Sequence, residues 1–259
     1  MTAETEPRTL TTTETSLAVL EHVRRRGGAT LPELVAALDK PKSTVYGHVV
    51  TLERNGYLVA EGGTYHVGLK LLRFGERAKS RKPSYDLAKE RVDELVDETG
   101  EEGGFLVEEN GRPIMLYNSA AGSTSLAFNA GRMGFMHDNA AGKAMLPEMD
   151  DGSVERILDR WGLPARTSRT ITDRGALLDE LQRIRERGYA VTEGEHTEGL
   201  YGIAAAVTDS EGDVFGAFSL GLPSFRAQNA ALEADFVEPL KRAVDALESD
   251  LAERNGGQE

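Results

Sequence analysis

The chain has 259 residues, 39% of them apolar, with no cysteine and a formal net charge of −13. That length can bury two separate cores, and the missing cysteines exclude disulfides, thiolate metal sites and a cysteine nucleophile. No run approaches the roughly 18 apolar residues of a membrane helix, and the opening MTAETEPRTLTTTE lacks the features of a secretory signal, so a soluble, cytoplasmic protein without a membrane partner is expected.

The charge is unevenly spread. Residues 1–82 carry thirteen Lys/Arg against nine Asp/Glu, whereas residues 83–259 carry seventeen against thirty-four. A basic N-terminal module can approach a polyanion that the acidic remainder repels. Lysine is scarce, eight against twenty-two arginines, and a surface so acidic and lysine-poor points to a halophilic host. At molar salt the Debye length falls to about 3 Å and counterion release contributes little, so recognition of a nucleic acid leans on close contacts and shape.

Residues 1–13 read as a disordered arm, with Arg8 either reaching a minor groove or belonging to an unpaired tail. Leu17, Leu20 and Val23 predict the core face of a first helix, which Arg24, Arg25 and Arg26 end favourably for its dipole. Leu31–Leu38 reads as a second helix, with Thr30 and Glu33 at capping-box spacing. After Asp39 and Lys40 comes Pro41–Val59, PKSTVYGHVVTLERNGYLV, in which Val45, Val49 and Leu52 recur at helical spacing and dock on a core. The opposite face carries Ser43, Tyr46, Gly47 and Arg54, with Lys42 and Thr44 near its start, a pattern suited to phosphate oxygens and base edges. His48 lies beside the apolar face, either half-buried and structural or reading a base. Asn55-Gly56 stops the helix, and the strands Tyr57–Glu61 and Thr64–Val67 close through Gly62-Gly63. In that hairpin one of the pairs Thr64/His66 and Tyr65/Val67 packs and the other faces out, toward DNA. Two helices, a third and a two-stranded wing make a winged helix-turn-helix over residues 14–68.

A linker helix is predicted over residues 69–82, with Leu69, Leu72 and Phe74 near one side, and Lys82-Pro83 marks the domain boundary. Residues 83–255 then read as a second domain. It opens with a helix, Ser84–Thr99, followed by strands Gly104–Glu108 and Arg112–Asn118 joined through Asn110-Gly111. Asn139 caps a helix Ala140–Leu146, and Thr172 caps another that ends near Arg187. Strands follow at Ala190–Thr192, Gly202–Thr208 and Val214–Leu220, and Asp235–Ala252 closes the chain as an amphipathic helix. Strands interleaved with helices give an α+β class with helices packed on a sheet.

The succession of PKST-V, TLERNGYLV, a short glycine wing and VGLKLLRFG resembles the IclR family of transcription regulators. HDNAAGKAML, ELQRIRERGYAVTEGEHTEGLYGIAAAVTDSEGDVFGAFSLGLP and the C-terminal helix resemble that family's effector-binding domain, in the same order, so that residues 14–252 are covered. With its acidic surface the chain is similar to a haloarchaeal member. The resemblance implies a GAF-like sensor fold, protomers paired by N-terminal modules and linkers into a homodimer or tetramer, a double-stranded DNA operator and a small-molecule effector controlling a catabolic operon. Relatives often carry an arginine where this chain has Gly47, so no particular operator is inherited.

No catalytic constellation emerges. The five histidines, at 22, 48, 66, 137 and 196, show no ligand spacing on one helix, and no P-loop or GxSxG elbow is present, so neither a metal nor a cofactor is expected. His196, between Glu193, Glu195 and Glu198, reads as a metal site or, with more weight, a solvated loop. Ala204, Ala205, Ala206, Gly216 and Ala217 are small, which means either tight packing or a pocket. The resemblance turns this toward a pocket formed by Ala140, Ala141, Thr192, Leu200, Gly202, Ser219 and Gly221, in which helix amides at 140–142 suit a carboxylate and Ser219 and Thr192 supply hydroxyls. A small organic acid or sugar-derived metabolite is the expected effector. The rival reading is an enzyme or sensor that uses its winged helix to dimerise.

Overall fold

The computed structural model describes residues 8–121, 130–228 and 231–256, and the chain divides into two compact units, Met1–Arg81 and Lys82–Glu259. In the first unit, α1 (Thr11–Arg26), α2 (Leu31–Leu38) and α3 (Lys42–Arg54) enclose a core of Val19, Val23, Leu34, Val45, Val49, Leu52 and Leu58. The α1 face agrees with the expected one at Val23, which is buried, and at Leu20, which packs against this core, but not at Leu17. Thr15, Val19 and Val23, a row at i, i+4 and i+8, are buried, while Leu17 is 59% exposed. The helix also begins earlier than expected, because the Leu10 carbonyl accepts the amides of Thr13 and Glu14, so the last three residues of the expected arm are helical. Residues 1–7 of that arm lie outside the described residues, and Arg8 is exposed.

The capping box of α2 forms as expected: Thr30 donates from its amide and its hydroxyl to Glu33 Oε2, both at 2.8 Å. The wing strands β2 (Leu58–Glu61) and β3 (Thr64–Val67) are joined by a short β1 (Ala29–Thr30) that the sequence pattern did not announce, in the order β1-β3-β2. Helix α4 (Lys70–Lys79) is anchored at its start, where Lys70 Nζ donates to the Asn55 carbonyl at 2.9 Å and lies 4.7 Å from the Tyr57 ring.

The second unit is built on a five-stranded antiparallel sheet of β4 (Glu102–Glu109), β5 (Arg112–Ser119), β6 (Ala190–Glu193), β7 (Leu200–Thr208) and β8 (Val214–Pro223), in the order β5-β4-β8-β7-β6. Each of the last four expected strands runs one to three residues further at one end or both. The Asn110-Gly111 turn adopts positive φ at both residues, 56° and 77°, the geometry that matches strand twist and that asparagine and glycine tolerate. Side chains alternate across the sheet. Phe105, Phe218, Ile203, Leu220 and Leu222 point to one face, covered by α5 (Tyr85–Thr99) and α9 (Glu238–Gly256). Ala190, Ala204 and Ala217 point to the other, where α6 (Ala140–Met145), α7 (Asp151–Trp161) and α8 (Arg174–Arg187) pack. Small residues on that face let α6 lie close to the strands.

Three details depart from expectation. Helix α7, capped by Asp150 Oδ1 on the Ser153 amide, went unannounced because it buries a single row, Val154 and Leu158, amid charged residues. The cap of α8 is Asp173, which accepts from the Ala176 amide at 2.8 Å, and not Thr172. The final helix is preceded by a π-turn, Glu233–Val237. No described helix is long and apolar enough to cross a membrane.

Candidate functional site

On α3, Lys42, Ser43, Thr44, Tyr46, Gly47 and Arg54 are all exposed, with Tyr46 at 53%, and Ser43, Gly47 and Arg54 lie opposite the buried Val45, Val49 and Leu52. No atom lies within 4 Å of where a Gly47 side chain would begin. His48 is half-buried, its Nδ1 2.8 Å from Ser16 Oγ of α1, so the ring ties two helices together. On the wing, Thr64 is half-buried, and His66 Nδ1 lies 3.0 Å from the Gly27 carbonyl, which holds the ring over the turn after α1. The structure therefore leaves six of the nine expected contacts exposed on α3 and gives His48 and His66 intramolecular partners.

In the second unit a cavity of about 70 Å³ opens on the α6 side of the sheet. Ala140, Thr192, Leu200, Gly202 and Ser219 line it, five of the seven expected pocket residues. Gly202 is small by necessity, because a side chain there would start 2.7 Å from Thr192 Oγ1. Two residues fall elsewhere. Ala141 is 1% exposed and packs in the core beneath α6, and Gly221, opposite Gly202 in the β7–β8 register, is buried and does not line the cavity. The remaining walls are largely apolar, with Leu106, Met115 and Met133.

The expectation that α6 amides hold a carboxylate meets competition. Asn139 Oδ1 already accepts from the Gly142 amide at 2.9 Å, and its Nδ2 donates to Phe135 O and Asp138 Oδ1. The positive charge at the cavity comes instead from Arg132, which the sequence reading did not single out. Its Nη2 lies 2.7 Å from His196 Nε2, and His196 Nδ1 lies 3.2 Å from Asp138 Oδ2. His196 is thus a wall residue, 11% exposed, rather than part of a solvated loop. Asp138 is fully buried; burial raises its pKa, but the neighbouring His196, Asn139 and His137 outweigh this and hold the carboxyl below its ordinary value.

Behind this wall, Lys143, 1% exposed, donates to Glu195 Oε1 at 2.7 Å. Burial nonetheless raises the Glu195 pKa, against the lowering effect of Lys143. Thr167 and Thr170 donate to the backbone carbonyls of Gly194 and Glu195 at 2.7 Å each, so the segment leading to His196 is held from several sides. No sequence spacing could have linked Arg132, Asp138 and His196, since sheet pairing and the α6 approach bring them together.

The model of the IclR helix-turn-helix domain matches residues 12–62, and that of the bacterial transcriptional regulator IclR C-terminal domain matches residues 80–249. The chain is 28% identical over 248 residues, 94% of both chains, to a probable HTH-type transcriptional regulator ArcR of Halobacterium salinarum. It is 30% identical over 222 residues to the regulator BhcR of Paracoccus denitrificans, covering 85% of this chain and 80% of that one. Among solved structures, an IclR regulator from Alicyclobacillus acidocaldarius shares the fold with a TM-score of 0.76 at 24% identity, over 93% of this chain and 99% of that one. An IclR homologue of Microbacterium hydrocarbonoxydans, complexed with 4-hydroxybenzoate, does so with a TM-score of 0.77 at 23% identity, over the same shares. A winged helix with an exposed polar stripe, a sensor sheet with a cavity and relatives that are transcriptional regulators rather than enzymes leave one assignment: the chain belongs to the IclR family of DNA-binding transcriptional regulators.

Proposed function

We propose that this regulator binds a double-stranded, pseudo-palindromic operator as a homodimer or tetramer in the cytoplasm, controls a catabolic operon, and responds to a small organic acid or sugar-derived metabolite held in the cavity. The observation that carries this reading is the cavity itself, with the hydroxyl residues Thr192 and Ser219 and the cation Arg132 set among apolar walls. Its volume is well below the ~300–1,000 Å³ that drug-sized ligands fill, which favours a compact metabolite. The 4-hydroxybenzoate bound by the Microbacterium homologue is an acid of this class.

For the operator, Lys42 supplies a phosphate contact, Ser43 and Thr44 meet the backbone at the helix start, Tyr46, Gly47 and Arg54 face the groove, and Thr64 belongs to the wing. His48 and His66, with partners of their own, act by positioning α3 and the wing. Assembly is supported by apolar side chains left exposed on the first unit, Leu10, Leu17, Leu69, Leu72 and Phe74. An effector shifts DNA affinity only to the extent that it binds the two protein states differently.

Chromatin immunoprecipitation in the host, followed by binding assays on the enriched sites at native salt, tests the reading. Lys42→Ala is expected to weaken operator and random DNA alike, and Tyr46→Ala to change sequence preference. Undiminished affinity and unchanged preference in both variants would remove α3 as the reading element.

A further inference from the structure

We propose that Arg132 selects the effector by its charge, taking a carboxylate of the ligand, and that His196 and Asp138 are the residues that position Arg132 for it. This rests on the reading that the cavity is the effector site, and deepens it. Among the described residues that line the cavity, none is Asp, Glu or Lys, and Arg132 brings a permanent cation. Leu106, Met115 and Leu200 set apolar surface around it, and a charge pair strengthens as the local dielectric falls. An anionic ligand group therefore gains far more at this wall than a neutral one of the same shape.

The hydrogen-bond directions are fixed by elementary chemistry. A guanidinium has donors and no acceptor, so in the 2.7 Å contact with Arg132 the Nε2 atom of His196 must accept. The ring proton then sits on Nδ1, which faces Asp138 Oδ2 at 3.2 Å. Asp138 is itself immobilised: Oδ1 accepts from the Phe135 amide at 3.2 Å and from Asn139 Nδ2 at 3.0 Å, and Arg166 Nε approaches Oδ2 at 3.8 Å. Buried carboxylate, neutral imidazole and guanidinium thus stand in succession, with the His196 ring in contact with both Asp138 and Arg132. Thr192 and Ser219 on the sheet meet the polar groups of the ligand's other end.

Calorimetry on the full-length protein at high KCl tests this with matched pairs: benzoate, 4-hydroxybenzoate, pyruvate and lactate, each beside its primary amide. The wild-type protein is expected to bind at least one acid more tightly than its amide. Arg132→Gln should weaken that acid about 10- to 100-fold, the span expected for losing a charge-assisted hydrogen bond, and leave the amide unchanged. His196→Gln, which retains an acceptor for Arg132, should preserve the acid-to-amide ratio, while His196→Leu should collapse it. Nitrogen-15 spectra should show His196 protonated at Nδ1, with Nε2 shifting when the acid binds. An unchanged ratio in Arg132→Gln, with binding of acid and amide both abolished by Ser219→Leu, overturns the role of Arg132 and keeps the cavity. Binding indifferent to Ser219→Leu as well overturns both. Failure of every acid to bind overturns carboxylate recognition.

Discussion

His137 lies next to the positioning chain yet plays another part. Its ring is 1% exposed, and its Nε2 lies 3.2 Å from the Pro164 carbonyl, which fixes the proton on that nitrogen. Burial lowers its pKa, and the Pro164 bond only partly opposes this. In the unfolded chain a histidine takes up its proton near pH 6.5, roughly its ordinary value. Between that value and the lower folded one, the unfolded chain binds more protons, so folding stability rises with pH through this window. The stabilisation is complete above about pH 6.5 and is lost as pH falls toward the folded value. Melting temperatures measured from pH 5 to 7.5 should therefore drop at the acid end, and His137→Gln, which keeps an N–H for Pro164, should flatten the profile. Superimposable profiles would show that His137 is not the source.

Single residues also mark what could be read in advance. Ala140, Thr192, Leu200, Gly202 and Ser219 were named from the resemblance alone and do meet around one cavity. Arg132 and His196 carried no local signal, because an arginine in a glycine-rich loop and a histidine amid glutamates look like ordinary surface until distant strands fold them inward.

At the scale of elements, α3 was legible because its core face and its exposed stripe are both written in one 3.6-residue period. Gly47 is its weak point. Glycine in a helix interior costs about 1 kcal/mol relative to alanine, and a methyl group there would meet nothing within 4 Å. Gly47→Ala is accordingly expected to raise folding stability by about 1 kcal/mol in chemical denaturation. If the same variant loses operator affinity, the bare backbone is used for close approach to DNA; if stability does not rise, the helix-propensity account of this position fails. Helix α1 was harder to read: Val23 and Leu20 meet the core as expected, but Leu17 is exposed and Thr15 and Val19 complete the buried row. A threonine can be buried there because its Oγ1 donates to the Thr11 carbonyl at 2.8 Å, which removes the cost of hiding a hydroxyl.

For the whole molecule, the division between a mildly basic N-terminal unit and a strongly acidic C-terminal one governs solution behaviour. Mutual repulsion of so many carboxylates is screened by salt, so the fold should be more stable in molar KCl than in dilute buffer, and equal melting temperatures in both would remove the halophilic reading. The proposed assembly would use the exposed Leu69, Leu72 and Phe74 of the first unit. Light scattering at high salt is expected to give a dimer or tetramer for the wild-type chain and a smaller species for Leu72→Glu. A monomeric wild-type protein would sink this arrangement.

The sequence by itself determined the winged helix, the helices and strands of the second domain and the charge difference between the halves, because all of these rest on local periodicity, turn chemistry and composition. Only the tertiary structure decided the rest. It set Ala141 into the core while Ala140 faces the cavity, gave His48 and His66 partners within the fold, and brought Arg132, His196 and Asp138 side by side. Those outcomes depend on which face of a strand or helix meets which neighbour, and that is settled by packing between residues far apart in the chain.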